Sequence, residues 1–334
     1  MRRRTARAVA VDTTVTLGPL VLPAPIIAAS GTFGHGDEVA RLADPTRIGA
    51  VTVKSLAPYP WAGNPAPRLH PAPGGAMLNS VGLQGPGVEH WIDHELDVLR
   101  ATGARVIASL WGRTVDDFAA GAKLLAPVAS ALVAVELNVS CPNLEDQSRM
   151  FAHSAEATAA VVHAVAESEL PLPHFVKLSP NTFEIVDIAR AAVDAGATGL
   201  TLVNTVLGFA IDADARAPVL GAGNGGLSGA PIKPVALRAV HDVTQALPGV
   251  PVIGTGGVTT GEDAVEMLLA GASAVGVGTA TFRDPRATLR ITDELIEWCA
   301  RHGVDRVASL TGALRAPHEI ADVEDVGDAV PEDT

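Results

Sequence analysis

A (β/α)8 barrel of the TIM type is the fold this sequence predicts, and three of its features predict it. Short apolar runs of strand character recur eight times, each leading into an amphipathic stretch of helical period. The runs are almost continuously apolar, which marks strands buried on both faces, as in a parallel sheet covered by helices. Each run also ends in small or polar residues, and barrel enzymes keep their chemistry at the C-terminal ends of their strands. An open doubly wound sheet is the competing arrangement, but no GxGxxG opens an early helix as its dinucleotide sites require.

Residues 1–15 form a basic arm, MRRRTARAVAVDTTV, whose Asp12, threonines and following prolines predict neither a signal peptide nor a membrane anchor. VTLGPLVLPAP then reads as two short strands joined at Gly18-Pro19, a hairpin capping one end of the domain. The eight runs follow: PIIAAS to Ser30, IGAVTVKS to Ser55, RVIASLWG to Gly112, AVELNVS to Ser140, HFVKLS to Ser179, GLTLVN to Asn204, PVIGTGG to Gly257 and SAVGVGT to Thr279. Between them lie helical segments such as GVEHWIDHELDVLRATG, TVDDFAAGAKLLAPVA and TGEDAVEMLLAGA. Thr114 and Thr260 are N-caps with acids in the first turn, and Gly196 and Gly271 stand just past last turns. Ala57 to Pro86 and Val206 to Pro234 are too long for simple connections, and both follow strand C-terminal ends, where long loops carry function. No linker interrupts residues 16–317, which are expected to be one domain. Residues 318–334 read as an acidic, flexible tail.

Composition narrows the function. The 334 residues are 48% hydrophobic, enough for a large core. A formal charge of -13, with no basic run long enough to mark a phosphate-tracking groove, argues against nucleic acid as a partner. Cys141 and Cys299 are the two cysteines, too far apart for a CxxC or Cys/His ligand spacing, so no disulfide framework or zinc site is expected and a reducing cytoplasm fits. The ten histidines are scattered. His70, His90, His94 and His163 read as ordinary helix or loop residues, and no metal is expected.

The polar strand ends are where chemistry is expected. Ser30, Lys54, Asn138, Cys141, Lys177 and Asn204 sit at or just beyond the ends of different strands, which a barrel brings to one pocket. Lys54 and Lys177 lie in apolar runs, so each either meets an anion or electron-rich ring or snorkels to the rim. GTGG and GVGT place backbone N–H groups at Gly256, Gly257, Gly278 and Thr279 as a cradle for a phosphate, belonging to a substrate or to a cofactor such as FMN. The bland alternative is glycine that merely lets a helix pack closely. Cys141 is either a small hydrophobe or, if nearby lysines lower its thiol toward neutral pH, a general base. Trp111 is placed at the barrel mouth, stacking on a ligand or filling space.

Together ELNVSCPN, MLNSVGLQGPG, VTVKSLAPYPWAGNPAPR, VKLSPN, LVNT, GGLSGAPIKPVALR, GTGG and GVGTA resemble the dihydroorotate dehydrogenases, in particular the soluble cysteine-using class and its NAD-linked subclass. The resemblance runs from about Pro25 to Phe282. It implies an FMN-holding barrel that oxidises dihydroorotate to orotate in pyrimidine biosynthesis. Cys141 is then the base, Lys177 stands by the pyrimidine end of the flavin and favours its anionic reduced form, and Lys54 touches flavin and substrate. Ser30, Lys54, Ser55, Asn138, Lys177, Val203, Gly229, Gly256, Gly257, Gly278 and Thr279 make up the flavin site. Lys54, Asn79, Ser80, Val81, Gly82, Leu83, Asn138, Asn143, Asn204 and Thr205 make up the substrate site. The resemblance further implies a homodimer or heterotetramer, the latter with an electron-transfer subunit carrying FAD and an iron-sulfur cluster, for which this chain has no cysteine cluster. The chain departs from the family pattern at Gly85, at Ser109-Leu110-Trp111-Gly112 and after Asn143. Two other functions remain open on the sequence: another FMN-dependent oxidoreductase of the dihydropyrimidine or dihydrouridine type, and a non-catalytic barrel subunit.

Overall fold

The computed structural model describes residues 10–140 and 150–315. Eight strands close into a parallel barrel. They are β1 (Ile26–Ala28), β2 (Ala50–Thr52), β3 (Val106–Leu110), β4 (Ala134–Asn138), β5 (His174–Lys177), β6 (Gly199–Leu202), β7 (Val252–Thr255) and β8 (Ala274–Val277). Each pairs with its neighbour in sequence, and β8 closes on β1 through Val275↔Ile26 and Gly276↔Ile27. The strands are short and buried on both faces, and every residue of β3 and β4 is buried.

Helices cover the outside: α1 (88–101), α2 (Val115–Leu125), α3 (Ala155–Ala166), α4 (Ile185–Asp194), α5 (Lys233–Ala246), α6 (Gly261–Leu269) and α7 (Ala287–Arg301). The first unit departs from the regular alternation. Between β1 and β2 there is only the 3-10 turn Pro45–Arg47, and α7 packs on β1 instead. The expected caps are present: Thr114 and Thr260 close capping boxes with Asp117 and Asp263, satisfying first-turn N–H groups that no helical partner reaches. Gly271, after α6, has φ +118, and a Cβ there would lie 2.3 Å from Thr244 Oγ1, so this stop needs glycine.

Two apolar clusters divide the interior. The larger fills the space between strands and helices. The smaller lies inside the barrel at its N-terminal end, where Ile27, Ala50, Ile107, Ala134, Phe175, Ile253 and Ala274 meet Val15, Leu17 and Leu22 of the expected hairpin. That hairpin pairs Val15–Leu17 with Leu20–Leu22 and plugs the barrel floor.

The two long connections are more ordered than the sequence suggests. Leu69–Ala72, Ala76–Asn79, Val206–Phe209 and Asn224–Gly229 form one antiparallel sheet beside the barrel mouth. Its register sets Asn79 against Gly226. Cβ atoms at Gly225 and Gly226 would meet Asn79 O at 2.5 Å and Thr205 Oγ1 at 2.1 Å, so the glycines that hide this strand in the sequence are those that let it approach its neighbours.

Candidate active site

Period-two alternation carries the apolar floor up into a polar layer. Two residues above Ile107, Ala134, Phe175, Ile253 and Ala274 on the same inward face stand Ser109, Glu136, Lys177, Thr255 and Gly276, and above Glu136 stands Asn138. Over this layer opens a cavity of about 620 Å³, within the roughly 300–1,000 Å³ common for small-molecule and cofactor sites.

Every candidate residue within the described part of the chain lines this cavity: Ser30, Lys54, Ser55, Asn79, Ser80, Val81, Gly82, Leu83, Asn138, Lys177, Val203, Asn204, Thr205, Gly229, Gly256, Gly257, Gly278 and Thr279. Cys141 and Asn143 lie outside the described residues.

On one wall the hydroxyls and amides form a connected network. Ser55 Oγ stands 2.9 Å from Ser109 Oγ and 3.3 Å from Ser30 Oγ, and it accepts from Asn138 Nδ2 at 3.1 Å. Asn138 Oδ1 accepts from Asn204 Nδ2 at 3.3 Å, and Asn204 Oδ1 accepts from Thr205 N–H at 2.8 Å. These bonds fix each amide plane, so the remaining donors and acceptors present a set face to a ligand. On the opposite wall Trp61 Nε1 donates to Gly82 O at 3.0 Å and Asn64 Nδ2 to Ser80 Oγ at 2.9 Å, holding the 79–83 segment in place.

The two lysines differ. Lys177 is buried, with Nζ 3.7 Å from a carboxylate oxygen of Glu136, so it does not snorkel to the rim. Lys54 is half-buried and donates to Gln84 O. Burial, reinforced by the Arg68 charge, pulls the Lys54 ammonium down to about 8. His35, behind it, is pushed down to about 4 by burial and by Lys54, and so is neutral at pH 7.

At the far end of the cavity are the glycine turns. Gly256 and Gly257 have φ +130 and +78. The N–H groups of Gly256, Gly257, Gly278 and Thr279 donate to no turn, loop or cap acceptor among the described residues. Thr279 Oγ1 donates to Ser228 Oγ at 2.8 Å, and Thr255 Oγ1 is buried without a partner. Free donors at a glycine-opened turn suit a phosphate group, and the adjoining cavity has room for the ring system attached to one.

Residues around and beneath the cavity complete its walls, and the parts played by Ser109, Arg113 and Glu136 were not evident from the motifs. Ser109 ties Ser55 to Glu136, so the departure at Ser109-Leu110-Trp111-Gly112 leaves the wall connected. Trp111 is 2% exposed and packs edge-on to Trp61 and Tyr59, a wall rather than a platform at the mouth. Arg113 lies over the Trp61 ring, 4.8 Å from its centroid. Glu136 had a readable signal: a carboxylate in an apolar strand, two residues before Asn138 and therefore on its face. Cys299 is buried in α7, where its thiol is pushed up by burial, and it behaves as a small apolar side chain. Among the described residues no helix is long and apolar enough to cross a membrane.

A closed barrel with N–H groups at its glycine turns left unpaired among the described residues, and a cavity lined by amides, hydroxyls and two lysines, fits an enzyme that binds a small, polar ligand. Residues 13–298 match the family model for dihydroorotate dehydrogenase, and the chain belongs to that family of oxidoreductases. Its similar relatives include the protein named dihydroorotate dehydrogenase B (NAD(+)), catalytic subunit, from Alkaliphilus metalliredigens, 43% identical over 91% of this chain and 99% of that one. Proteins of the same name from Geotalea uraniireducens and Bacteroides fragilis are 44% and 41% identical, each over 91% of this chain and 98% and 99% of their own lengths.

Proposed function

We propose that this chain is the catalytic subunit of an NAD-linked dihydroorotate dehydrogenase, oxidising dihydroorotate to orotate with FMN in pyrimidine biosynthesis and passing electrons to a partner subunit with FAD and an iron-sulfur cluster. The observation that carries the reading is the convergence of Lys54, Lys177 and the Asn138–Asn204–Thr205 network on one cavity that ends in the glycine cradle. The relatives' shared name supports the subclass.

FMN, when bound, supplies the hydride acceptor, N5 of its ring. Gly256, Gly257, Gly278 and Thr279 would hold its phosphate, with Ser30, Ser55, Val203 and Gly229 along the rest of the molecule. Asn79, Asn138, Asn204 and Thr205, with the 79–83 backbone and Asn143, would hold the substrate's planar imide and carboxylate. Fixing both reactants in this way removes much of the entropic barrier to transfer. Cys141 would take the proton from the ring carbon next to the one that loses hydride, and the Lys54 ammonium would face the substrate anion. Lys177 would place positive charge against the electron-rich flavin ring.

The purified chain is expected to carry FMN or take it up on addition, and dihydroorotate is expected to bleach the flavin absorbance anaerobically within seconds. A flavin-loaded chain that dihydroorotate does not reduce, but another dihydropyrimidine does, would replace this substrate.

A further inference from the structure

One charged pair in the barrel is left over by both the cradle and the amide network. Glu136 and Lys177 project inward from adjacent strands β4 and β5, at 3% and 6% exposure. Lys177 lines the cavity, whereas Glu136 is not among its lining residues and lies beneath. Below Glu136 is the apolar floor of Ala134 and Phe175. Its carboxylate accepts from Ser109 Oγ at 3.3 Å and has Lys177 Nζ at 3.7 Å.

Such a pair is a poor stabiliser, because desolvating two charges costs about as much as their attraction returns, and apolar side chains of similar size commonly do better. A carboxylate here instead has two effects on the lysine above it. It draws Nζ toward the strand it stands on, and it offsets part of the positive field that reaches the cavity.

We propose that Glu136 is a positioning residue that sets the place and the effective charge of the Lys177 ammonium, and through it the electron affinity of the flavin. This rests on the reading that FMN occupies the cavity. Negative charge added to the flavin on reduction is stabilised by Lys177 and opposed by Glu136, so the potential is a balance of the two. Removing the carboxylate charge makes the flavin easier to reduce.

The test is the reduction potential of FMN-loaded chain, measured by dye equilibration, for wild type, Glu136→Gln, Glu136→Leu and Glu136→Asp. The two neutral variants remove the charge with and without a polar group, so one that fails to fold leaves the other to report. A unit charge removed from beneath the cavity, at an effective dielectric near 20, is enough for a change of order tenfold. Each neutral variant is therefore expected to favour reduced over oxidised flavin about tenfold more than wild type, a positive shift of about 30 mV for a two-electron couple. Glu136→Asp, which keeps the charge, is expected to stay near wild type. An unchanged or more negative potential in the neutral variants overturns the proposal, as does an equal shift in Glu136→Asp, which would make space rather than charge the cause. Wild-type chain that takes up no FMN overturns both this proposal and the functional reading. Wild-type chain reduced by dihydroorotate, with variants sharing its potential, overturns this one alone.

Discussion

Replacing Gly278 by alanine separates the cradle's role from that of the fold. Gly278 lies one residue past β8, two above Gly276 and four above Ala274, and it lines the cavity. A Cβ there would meet Ala29 Cβ at 3.6 Å and Thr32 Cγ2 at 3.7 Å, ordinary contacts. Gly278 is also absent from the residues of positive φ. At a position alanine can adopt without strain, the substitution stabilises by about 0.4–1 kcal/mol through the unfolded chain. The apoprotein Tm is therefore expected to hold or rise slightly. The added methyl stands where a phosphate would approach the Gly278 and Thr279 N–H groups, and FMN affinity is expected to fall about 10- to 100-fold, or about 1.4–2.8 kcal/mol. Titrating apoprotein with FMN by quenching of flavin fluorescence gives the affinity, and a thermal melt of the same sample gives the stability. Gly257→Ala is the contrast: its Cβ would lie 2.6 Å from Lys233 N, at φ +78, so stability and binding should fall together. Wild-type FMN affinity in a well-folded Gly278→Ala chain would remove the phosphate from this turn.

Three other outcomes are expected. With Lys54 lowered to about 8, its ammonium is present below that value and lost above it, so orotate binding to the FMN-loaded chain should weaken as pH rises through 8, and Lys54→Gln should flatten the profile; the flavin spectral change on titration with orotate reads this, and an unflattened profile refutes the assignment. Cys141→Ala should slow flavin reduction by dihydroorotate about 100-fold or more at neutral pH while leaving orotate affinity within a few-fold, and stopped-flow rates equal to wild type would remove Cys141 as base. Burial raises the pKa of Asp263, but hydrogen bonds from Lys233 and Thr259 outweigh it and hold the carboxyl below its usual range, so its contribution is full above that range and lost as pH falls through the depressed value. Asp263→Asn should cost about 1.5–3 kcal/mol in urea unfolding near pH 7 and much less in strong acid, and an equal cost at both would deny the ion pair its part.

The barrel was legible because its signals are local. Each strand announces itself as a short apolar run, and caps such as Thr260 and Gly271 punctuate the helices. The antiparallel sheet beside the mouth was not legible, since Asn224–Gly229 carries three glycines and no alternating pattern, its strand character coming from neighbours distant in sequence. The site divides in the same way. Polar residues at strand ends, from Ser30 to Thr279, could be placed by counting to where each run stops. Glu136 and Ser109 lie inside their runs, and their part emerges only when alternation puts them on the face that Lys177 and Ser55 share. Trp111 needed its neighbours too, because Tyr59 and Trp61 arrive from another loop to pack it into a wall.

The plugged floor has a consequence for traffic. With Val15, Leu17 and Leu22 sealing one end, a small molecule reaches the polar layer from the C-terminal mouth. A substrate or product must therefore enter and leave by that mouth, whereas electrons handed to a partner subunit need not. A spent product left in place therefore delays the next substrate.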